Sequence, residues 1–345
     1  MRVRLEDVCE KESSKLKQSD VIDQNGLYPV YGASGYLGNI NTYQQSNYYI
    51  AVVKDGAGIG RTMLLPPESS IIGTMQYLIP KDNVLPEYLY YVVKAKHLEK
   101  YFSGATIPHI YFKDYKNEQF DLVSFEEQRV IINRLKKIEI IIDNLSKNLL
   151  LLDELVRARF VEMFGTIREN SHNYPRVTLK EVCHKITDGK HGGCKQEDNS
   201  GYYYVGAREI YDGKIHYDTA PQITYDDFLK DYRRCNLEKG DMVIVNTGAT
   251  IGKSAIASSH LTEKTLLQKS VALIKVNSDI IIAEFLRYCY MVNPSMYMVK
   301  SASAQPNLLL SKMNSTIVYL PPIGLQRQFA SFVEEVDKSQ FVLHQ

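Results

Sequence analysis

The stretch Lys54-Asp55-Gly56-Ala57-Gly58-Ile59-Gly60-Arg61-Thr62 returns later in the chain as Asn246-Thr247-Gly248-Ala249-Thr250-Ile251-Gly252-Lys253-Ser254. Both copies follow an apolar run and reach a basic residue directly after a glycine. Each therefore predicts a strand that enters a Gly-rich turn. A turn of this length that occurs twice predicts that a larger scaffold is duplicated.

Further echoes flank this pair and keep the same order in both halves. They are Val3 to Cys9 with Val177 to Cys183, Pro86 to Tyr91 with Ala283 to Tyr288, Ile107 to Ile110 with Gln305 to Leu308, and Glu127 to Arg129 with Leu325 to Arg327. Because the segments between these anchors differ almost completely, the pattern indicates two copies of one scaffold with different surfaces. We predict a first domain at 1–125, a long helix at 126–165, a second domain at 174–322 and a shorter helix at 323–345.

The composition restricts the class of protein. The 345 residues are 44% apolar, which suffices for two packed cores. No run of about 18 apolar residues and no basic-apolar-small N-terminal pattern occurs, so we predict neither a membrane span nor a signal peptide. Five cysteines, with Cys9 and Cys183 at matching repeat positions, favour a reduced, cytoplasmic compartment. The net charge of +1 argues against nucleic-acid binding unless a basic face is local or partner subunits supply charge.

The segment 126–165 carries apolar residues in alternating steps of four and three, which is typical of a coiled-coil seam. No Pro or Gly interrupts it before Gly165, so we expect one helix, roughly 60 Å long. Its apolar stripe needs a partner, and the tail offers one in register, with Arg159 and Gln340 as polar exceptions. The predicted seam comprises Ile131, Leu135, Ile138, Ile142, Leu145, Leu149, Leu152 and Val156 on the central helix, and Phe329, Val333, Val336 and Leu343 on the tail.

Outside these helices, the apolar residues form mostly short runs that are typical of β-strands. Tyr48 to Val53 and Asp241 to Val245 predict strands, whereas Glu87 to Tyr101 and Ile282 to Met291 predict helices. We therefore predict a mixed α/β (α+β) fold, in which two pseudo-symmetric domains are separated by long antiparallel coiled-coil helices.

These features together resemble the specificity subunits of type I restriction–modification systems. The resemblance covers nearly the whole chain and rests on the order of domains and helices and on both Gly-rich turns. It also rests on Ile107-Pro108-His109-Ile110 and on the helix that opens at Glu126 and ends in Asp153 to Gly165. Thr187-Asp188-Gly189-Lys190-His191 is similar to the Asp-Gly-x-His element of many recognition domains in that family. The tail helix is shorter than a full second copy would be.

The resemblance implies that each domain is a target-recognition domain that reads one half of a split, asymmetric site in double-stranded DNA. The helices would fix the gap between the half-sites and dock adenine methyltransferase subunits, and a restriction/translocase subunit would join them. The chain itself would be non-catalytic and bind no cofactor, whereas its partners would use S-adenosylmethionine, ATP and Mg²⁺.

Candidate DNA contacts combine three kinds of residue. The segment Tyr28 to Tyr36 offers small residues for close approach and hydroxyls for hydrogen bonds. Cations beside the Gly-rich turns suit phosphates, and arginines in the second domain suit guanine or phosphate. Each candidate also fits a packed turn or a solvated charged face. The candidates are Tyr31, Ser34, Tyr36, Arg61, His109, Lys190, His191, Arg208, Arg233, Arg234 and Lys253.

Other classes of function remain open at this point. Gly248 to Lys253 suggests a phosphate-binding loop, but three residues rather than four separate its glycines, so a hairpin is favoured. Zinc at Cys183, His184, His191 and Cys194 is disfavoured because Cys9, the repeat partner of Cys183, lacks such neighbours. A nucleotide-binding enzyme and a coiled-coil adaptor that binds only protein are the alternatives, and the near-neutral charge suits the adaptor.

Overall fold

A computed structural model describes residues 1–21, 26–104, 108–296 and 308–344. The chain divides into two compact units, Met1–Asn144 and Leu145–Gln345. The boundary between the units falls within the long helix that the sequence predicts as a separate segment at 126–165.

The first unit consists of short strands and helices, to which 3₁₀ turns at Gln18–Asp20 and Leu98–Tyr101 are added. Its strands are β1 (Arg2–Arg4), β2 (Cys9–Ser13), β3 (Tyr28–Gly32), β4 (Gly35–Ile40), β5 (Tyr49–Val53), β6 (Thr62–Leu65), β7 (Ser70–Ile71), β8 (Met75–Pro80) and β9 (Gln119–Asp121). Its helices are α1 (Leu5–Val8), α2 (Pro86–Lys94), α3 (Phe112–Tyr115) and the first part of α4 (Phe125–Phe164).

The second unit begins with the rest of α4 and repeats this order of elements. Its strands are β10 (Arg176–Thr178), β11 (Cys183–Asp188), β12 (Tyr203–Val205), β13 (Ile210–Tyr211), β14 (Lys214–Ile215), β15 (Met242–Val245), β16 (Ser254–Ile256), β17 (Thr265–Leu267), β18 (Val271–Val276) and β19 (Ile317–Tyr319). Its helices are α5 (Leu179–Val182), α6 (Tyr225–Tyr232), α7 (Ala283–Val292), α8 (Leu310–Asn314) and α9 (Ile323–His344). Short 3₁₀ turns lie at Ala207–Glu209, Arg233–Cys235, Thr262–Lys264 and Pro294–Met296.

The two units share one sheet topology. The first has the four-stranded order β2-β8-β5-β6 and the second the order β11-β18-β15-β16, and every neighbouring pair is antiparallel. A separate antiparallel pair, β1 with β9 or β10 with β19, brings the two ends of each domain together. The predicted mixed α/β class and the duplication of the scaffold are confirmed.

Alternation along the central strand explains why it is buried on both faces. Ile50 and Val52 of β5 enter the core beneath α2, whereas Tyr49, Ala51 and Val53 enter a second core on the opposite face. Strand β15 divides its side chains between two cores in the same way. Because successive side chains of a strand point to opposite faces, a strand that is apolar at every position has a core on each side of its sheet. The sheet is thus the middle of three layers.

The remaining strands differ between the units. Strand β3 pairs with β4 in an antiparallel hairpin and with β7 in parallel. The second unit keeps a parallel pair, β12 with β17, but adds the small β13–β14 hairpin and α6. The divergent sequence between the repeat anchors therefore builds divergent structure.

In the second unit, α4 and α9 pack through aromatic and β-branched side chains. Phe160 lies 5.2 Å from Phe329 between ring centroids, and the Gln340 side-chain amide donates to Asp153, so the helices run antiparallel. The buried residues of this contact are Val156, Phe160, Phe164, Phe329, Val333 and Val336.

This packing corrects part of the predicted seam. On α4 the seam continues through Phe160 and Phe164, in steps of four, whereas Arg159 lies at the surface and pairs with Glu162 at 2.7 Å. Ile138 and Ile142 are 51% and 57% exposed, so the seam is not continuous. Steps of four suit a helix packed on a globular core, which needs a broader stripe than a coiled coil. Leu135, Leu145, Leu149 and Leu152 are partly buried, Ile131 packs at the edge of the first core, and the side chain of Leu343 lies outside the described residues.

One predicted helix is shorter than expected. The segment from Glu87 to Tyr101, predicted as one helix, forms two elements. Helix α2 ends at Lys94, and His97 adopts a left-handed φ of 50° before the 3₁₀ turn at Leu98–Tyr101. A left-handed residue after the last turn is a common way for a helix to end.

Candidate nucleic-acid interface

The two Gly-rich stretches form the same hairpin. In the first unit, the amide of Gly60 donates to Val53 O at 2.9 Å and the amide of Val53 donates to Arg61 O at 2.9 Å. In the second unit, Gly252 donates to Val245 O at 2.9 Å and Val245 to Lys253 O at 2.8 Å. Gly60 and Gly252 have φ values of 81° and 88°, which a residue with a Cβ rarely adopts. The glycine that recurs in both units thus sets the turn that presents the following cation.

The geometry of these hairpins is incompatible with a phosphate-binding loop. The amides of Ile59 and Ile251 donate to Gly56 O and Gly248 O, and those of Arg61 and Lys253 also donate within the turn. A phosphate loop needs free amides ahead of a helix, but here the amides of residues 59–61 and 251–253 are engaged within the hairpin, and the strands β6 and β16 follow. The hairpin interpretation is confirmed.

A second anchor of the repeat is bonded to the first. The amide of Ile110 donates to Lys54 O at 2.9 Å, and at the matching place Leu308 donates to Asn246 O at 2.7 Å. His109 Nδ1 lies 2.7 Å from Asp55 Oδ1, which ties the candidate His109 to the same turn. Its repeat counterpart, Asn307, is outside the described residues. His109 therefore has a structural partner, although its ring remains about one third exposed.

The cations on the two hairpins are exposed but differ in their contacts. Arg61 Nη1 donates to Ala33 O at 2.7 Å, so it links the hairpin to the β3–β4 connection. Lys253 is exposed and has no hydrogen bond or ion pair from its ammonium group among the residues that the structure describes. Both side chains are placed where an anion could approach from solvent.

The first unit brings three candidates together at the β3–β4 hairpin. Tyr31 is half-buried and makes an edge contact with Tyr36 at 6.2 Å, whereas Tyr36 is 61% exposed and Ser34 is exposed. Burial, with a smaller contribution from Tyr36, raises the pKa of Tyr31, so its hydroxyl stays neutral and able to donate. The two tyrosines border a cavity of about 420 Å³ that β6, α2 and α4 complete.

In the second unit, the Asp-Gly-Lys-His element forms a loop after β11. Lys190, a candidate contact, is only 11% exposed and pairs with Asp231 at 2.6 Å, so its charge is already neutralised. His191 is 52% exposed, and its Nε2 lies 2.8 Å from Asp188 Oδ2. The other carboxylate oxygen of Asp188 binds Arg234. The structure thus brings His191 and Arg234 together and gives Lys190 a structural contact.

Asp188 is a functional candidate that the sequence did not single out. Burial alone would raise its pKa, but hydrogen bonds from His191 and Arg234 outweigh that effect and hold the pKa below its ordinary value. Arg234 lies 46 positions away in sequence. The position of Asp188 in the Asp-Gly-x-His element was the only sequence signal for this residue, and no sequence pattern predicted that Arg234 would be its partner.

Arg208 and Arg233 stand apart from this cluster. Both are exposed, and neither guanidinium has an ion pair with another described residue. Arg208 lies in the turn Ala207–Glu209, and Arg233 begins the turn that also contains Arg234.

No group of three or more His, Cys, Asp or Glu residues within the described ranges could hold a metal ion. Burial raises the pKa of Cys183 to about 12, so this thiol is a poor source of the thiolate that zinc requires. None of the described helices has the length and hydropathy needed to cross a membrane.

The fold and these surfaces define a duplicated binding scaffold, in which two similar α/β domains present different exposed side chains. The chain belongs to the family described as the type I restriction modification DNA specificity domain, which matches residues 1–151 and 172–345.

A curated relative and two solved structures are similar to this chain. The type I restriction enzyme MjaIX specificity subunit of Methanocaldococcus jannaschii is 25% identical over 280 residues, which cover 74% of this chain and 63% of that protein, less than two thirds of its length. The type I restriction-modification S subunit from M. genitalium has a TM-score of 0.61 at 16% identity, covering 100% of this chain and 91% of that one. A structure from work on complex assembly and conformational transition of the type I R-M system has a TM-score of 0.55 at 15% identity, with coverages of 99% and 91%. At these identities, the structural likeness shows the fold alone.

Proposed function

We propose that this chain is the DNA-specificity subunit of a type I restriction–modification complex, and that each unit reads one part of a bipartite, asymmetric target. The observation that carries the proposal is the hairpin made twice by the same main-chain bonds, with different strands, loops and side chains around each copy. A scaffold that is repeated while its surface changes suits a target whose backbone repeats while its bases change.

The repeat suggests a division of roles among the candidates. Arg61 and Lys253 occupy matching positions, and DNA phosphates are the part of the target that is the same at both half-sites. Side chains without a repeat counterpart, such as Tyr36 and Arg234, suit base edges. Local cations of this kind reconcile DNA binding with the net charge of +1.

Catalysis would belong to partner subunits. Adenine methyltransferase subunits would use S-adenosylmethionine, and a restriction/translocase subunit would use ATP and Mg²⁺. A protein partner is supported by apolar side chains on α4, where Ile138, Ile140 and Ile141 are each more than half exposed. Exposed apolar residues grouped in this way are typical of protein interfaces.

Methylome sequencing tests the proposal. A host that expresses the chain together with a methyltransferase encoded beside it is compared with a host that lacks only the chain. We expect methyladenine in a split, asymmetric motif only when the chain is present. If the two proteins associate but no motif appears, the DNA-specificity role is wrong.

The adaptor is the second candidate, because the near-neutral charge favours a surface that binds protein alone. It predicts that the chain purifies with the methyltransferase and has no measurable affinity for any duplex. Duplex affinity that depends on base sequence would exclude it.

A further inference from the structure

A single carboxylate in the second unit binds two exposed side chains, those of His191 and Arg234. Asp188 ends β11, and its side chain is only 13% exposed. Its Oδ2 lies 2.8 Å from His191 Nε2, its Oδ1 accepts from Arg234 Nη2 at 2.5 Å, and its main-chain oxygen accepts from Arg234 Nε at 3.4 Å. Two contacts from one residue restrict both the position and the plane of the guanidinium group.

The loop that carries this carboxylate is itself held in place. A Cβ on Gly189 would lie 2.2 Å from Leu267 O, so only glycine allows the loop to lie this close to the neighbouring strand. The Tyr204 hydroxyl donates to Gly192 O at 2.7 Å, and Lys190 pairs with Asp231. The loop is therefore fixed before and after His191, which leaves that side chain at its exposed tip.

Arg234 keeps donors available for a ligand. Its side chain is 48% exposed, and among the described residues no acceptor bonds its Nη1. The neighbouring Arg233 is also exposed, but its guanidinium has no such support. An arginine whose plane is fixed loses little conformational freedom on binding and matches two acceptors in one plane, whereas an unsupported one suits a phosphate, which accepts from many directions.

We propose that Arg234, held by Asp188, is a guanine-reading subsite of the second unit, with Asp188 as its positioning residue. Guanine is the base that offers two acceptors, O6 and N7, on its major-groove edge, and this pair matches an arginine fork. His191 flanks the guanidinium and would contact the same or the adjacent nucleotide. This subsite rests on the proposed function, because it assigns one base within the target that the second unit reads.

The first unit has no equivalent subsite among its described residues. Strand β2 occupies the place of β11, and the residue after it, Ser14, carries a hydroxyl that accepts from the amide of Leu16 at 3.1 Å. The exposed Tyr36 and Ser34 lie on a hairpin instead. The two halves of the target are therefore read with different chemistry, by a supported arginine in the second unit and by hydroxyls in the first.

Selection from a randomised duplex pool tests the subsite. The full-length wild-type chain and its variants each enrich bound duplexes, which are then sequenced, and affinities for the enriched duplex and its single-base variants are measured. We expect the wild-type motif to contain a G·C pair at which Arg234→Ala lowers the preference for guanine roughly 10- to 100-fold. The matched control, Arg233→Ala, keeps every preference and weakens binding to all duplexes alike.

Two conservative variants separate positioning from general structure. Arg234→Lys keeps the charge but loses the planar fork, and Asp188→Asn keeps the shape but loses the carboxylate charge. Both should lower the preference at the same base pair while the affinity for unrelated duplexes changes less than threefold. A merely structural role of Asp188 would instead weaken binding to every duplex by the same factor.

The outcomes distinguish the subsite from the proposed function. If the wild type enriches a motif but Arg234→Ala keeps every base preference, or Asp188→Asn behaves like Arg233→Ala, the subsite is overturned and the function stands. A wild-type motif in which neither half contains a G·C pair overturns it as well. If the wild-type chain enriches no motif, the DNA-specificity role itself fails.

Discussion

Gln128 and Gln326 make the same two hydrogen bonds in the two units. Gln128 Oε1 accepts from the amide of Leu85 at 2.8 Å, and Gln326 Oε1 accepts from the amide of Ile282 at 2.9 Å. Leu85 and Ile282 directly precede α2 and α7, so each glutamine caps the start of one of these helices. The Nε2 atoms donate to Val123 O and Pro321 O. Both side chains are at most 1% exposed, which explains why Glu127 to Arg129 and Leu325 to Arg327 share a glutamine.

Replacing either glutamine with alanine should destabilise its unit. Gln128→Ala or Gln326→Ala leaves a main-chain amide and a main-chain carbonyl, each at least partly buried, without this partner, which costs about 1–3 kcal/mol of unfolding free energy. Urea unfolding measures the change. Gln119→Ala, at an exposed position, is the matched control and should shift the midpoint little. Equal shifts for the buried and exposed glutamines would contradict the capping role.

Phe160 should be the most sensitive position in the contact between α4 and α9. Its ring is fully buried against Phe164, Phe285, Tyr288 and Phe329, so Phe160→Ala should lower the unfolding free energy by about 3–5 kcal/mol. Chemical unfolding followed by circular dichroism measures it. The adjacent Val161, which is 40% exposed, is the control, and Val161→Ala should change stability far less. A small effect at Phe160 would mean that the helices do not pack as described.

Arg61 and Lys253 should contribute to DNA affinity without contributing to base preference. Each of Arg61→Ala and Lys253→Ala should weaken binding to all duplexes and reduce the slope of log K against log salt by about one. Titration of a labelled duplex at several salt concentrations gives both quantities. Lys180→Ala, at an exposed position on α5, is the control. Loss of preference at a single base pair would instead assign these cations to base reading.

The ion pairs of Asp188 predict a pH dependence of stability. Its folded pKa lies below the ordinary value of 3.8, so its ionised form stabilises the fold above that pH, and this contribution is lost as pH falls through the folded pKa. Asp188→Asn should therefore lower Tm at pH 7, and the difference from wild type should shrink as pH falls below 3.8. The exposed Asp198→Asn is the control. A difference in Tm that stays constant with pH would contradict the pairing.

The cysteines should react slowly in the folded protein. Burial raises the pKa of Cys9, Cys183 and Cys235 to about 12 each, which leaves roughly 10⁻⁴ of each thiol ionised at pH 8. Cys183 and Cys194 are both half-buried, but the ammonium group of Lys190 opposes the rise that burial causes in the pKa of Cys194, so Cys194 should react first with a thiol reagent. Cys194→Ser should remove the fast phase, while denaturant should expose the others. A fast phase that survives Cys194→Ser would show that another thiol is accessible.

The duplicated scaffold could be predicted because its anchors lie where main-chain bonds recur. The hairpins after β5 and β15 require glycine at Gly60 and Gly252, and a requirement of this kind leaves a mark in the sequence. Strands β5 and β15 followed from their apolar runs, and helices α2, α4, α7 and α9 from periods of three and four, whereas the shorter elements were not predicted.

The helix seam and the cluster of Asp188, His191 and Arg234 show which features the sequence alone could not predict. Periodicity identified an apolar stripe on α4, but it could not tell that Phe160 would replace Arg159 in the core, since that depends on which neighbours cover the helix. Likewise, the Asp-Gly-x-His element contains Asp188 but did not identify it as a site residue, and Arg234 reaches Asp188 only because the turn at Arg233–Cys235 packs beside β11. Contacts between distant segments are not encoded in any local pattern.

The turns of both hairpins are closed by the same main-chain hydrogen bonds, and a glycine in the left-handed region lies at the same place in each. Mutation can therefore replace most side chains on these turns without altering the path of the backbone. Two copies of one scaffold can therefore differ in the chemistry of these turns while they keep the same backbone shape. Arg61 and Lys253 are an example, because Arg61 donates to Ala33 whereas Lys253 has no hydrogen bond from its ammonium group to any residue that the structure describes.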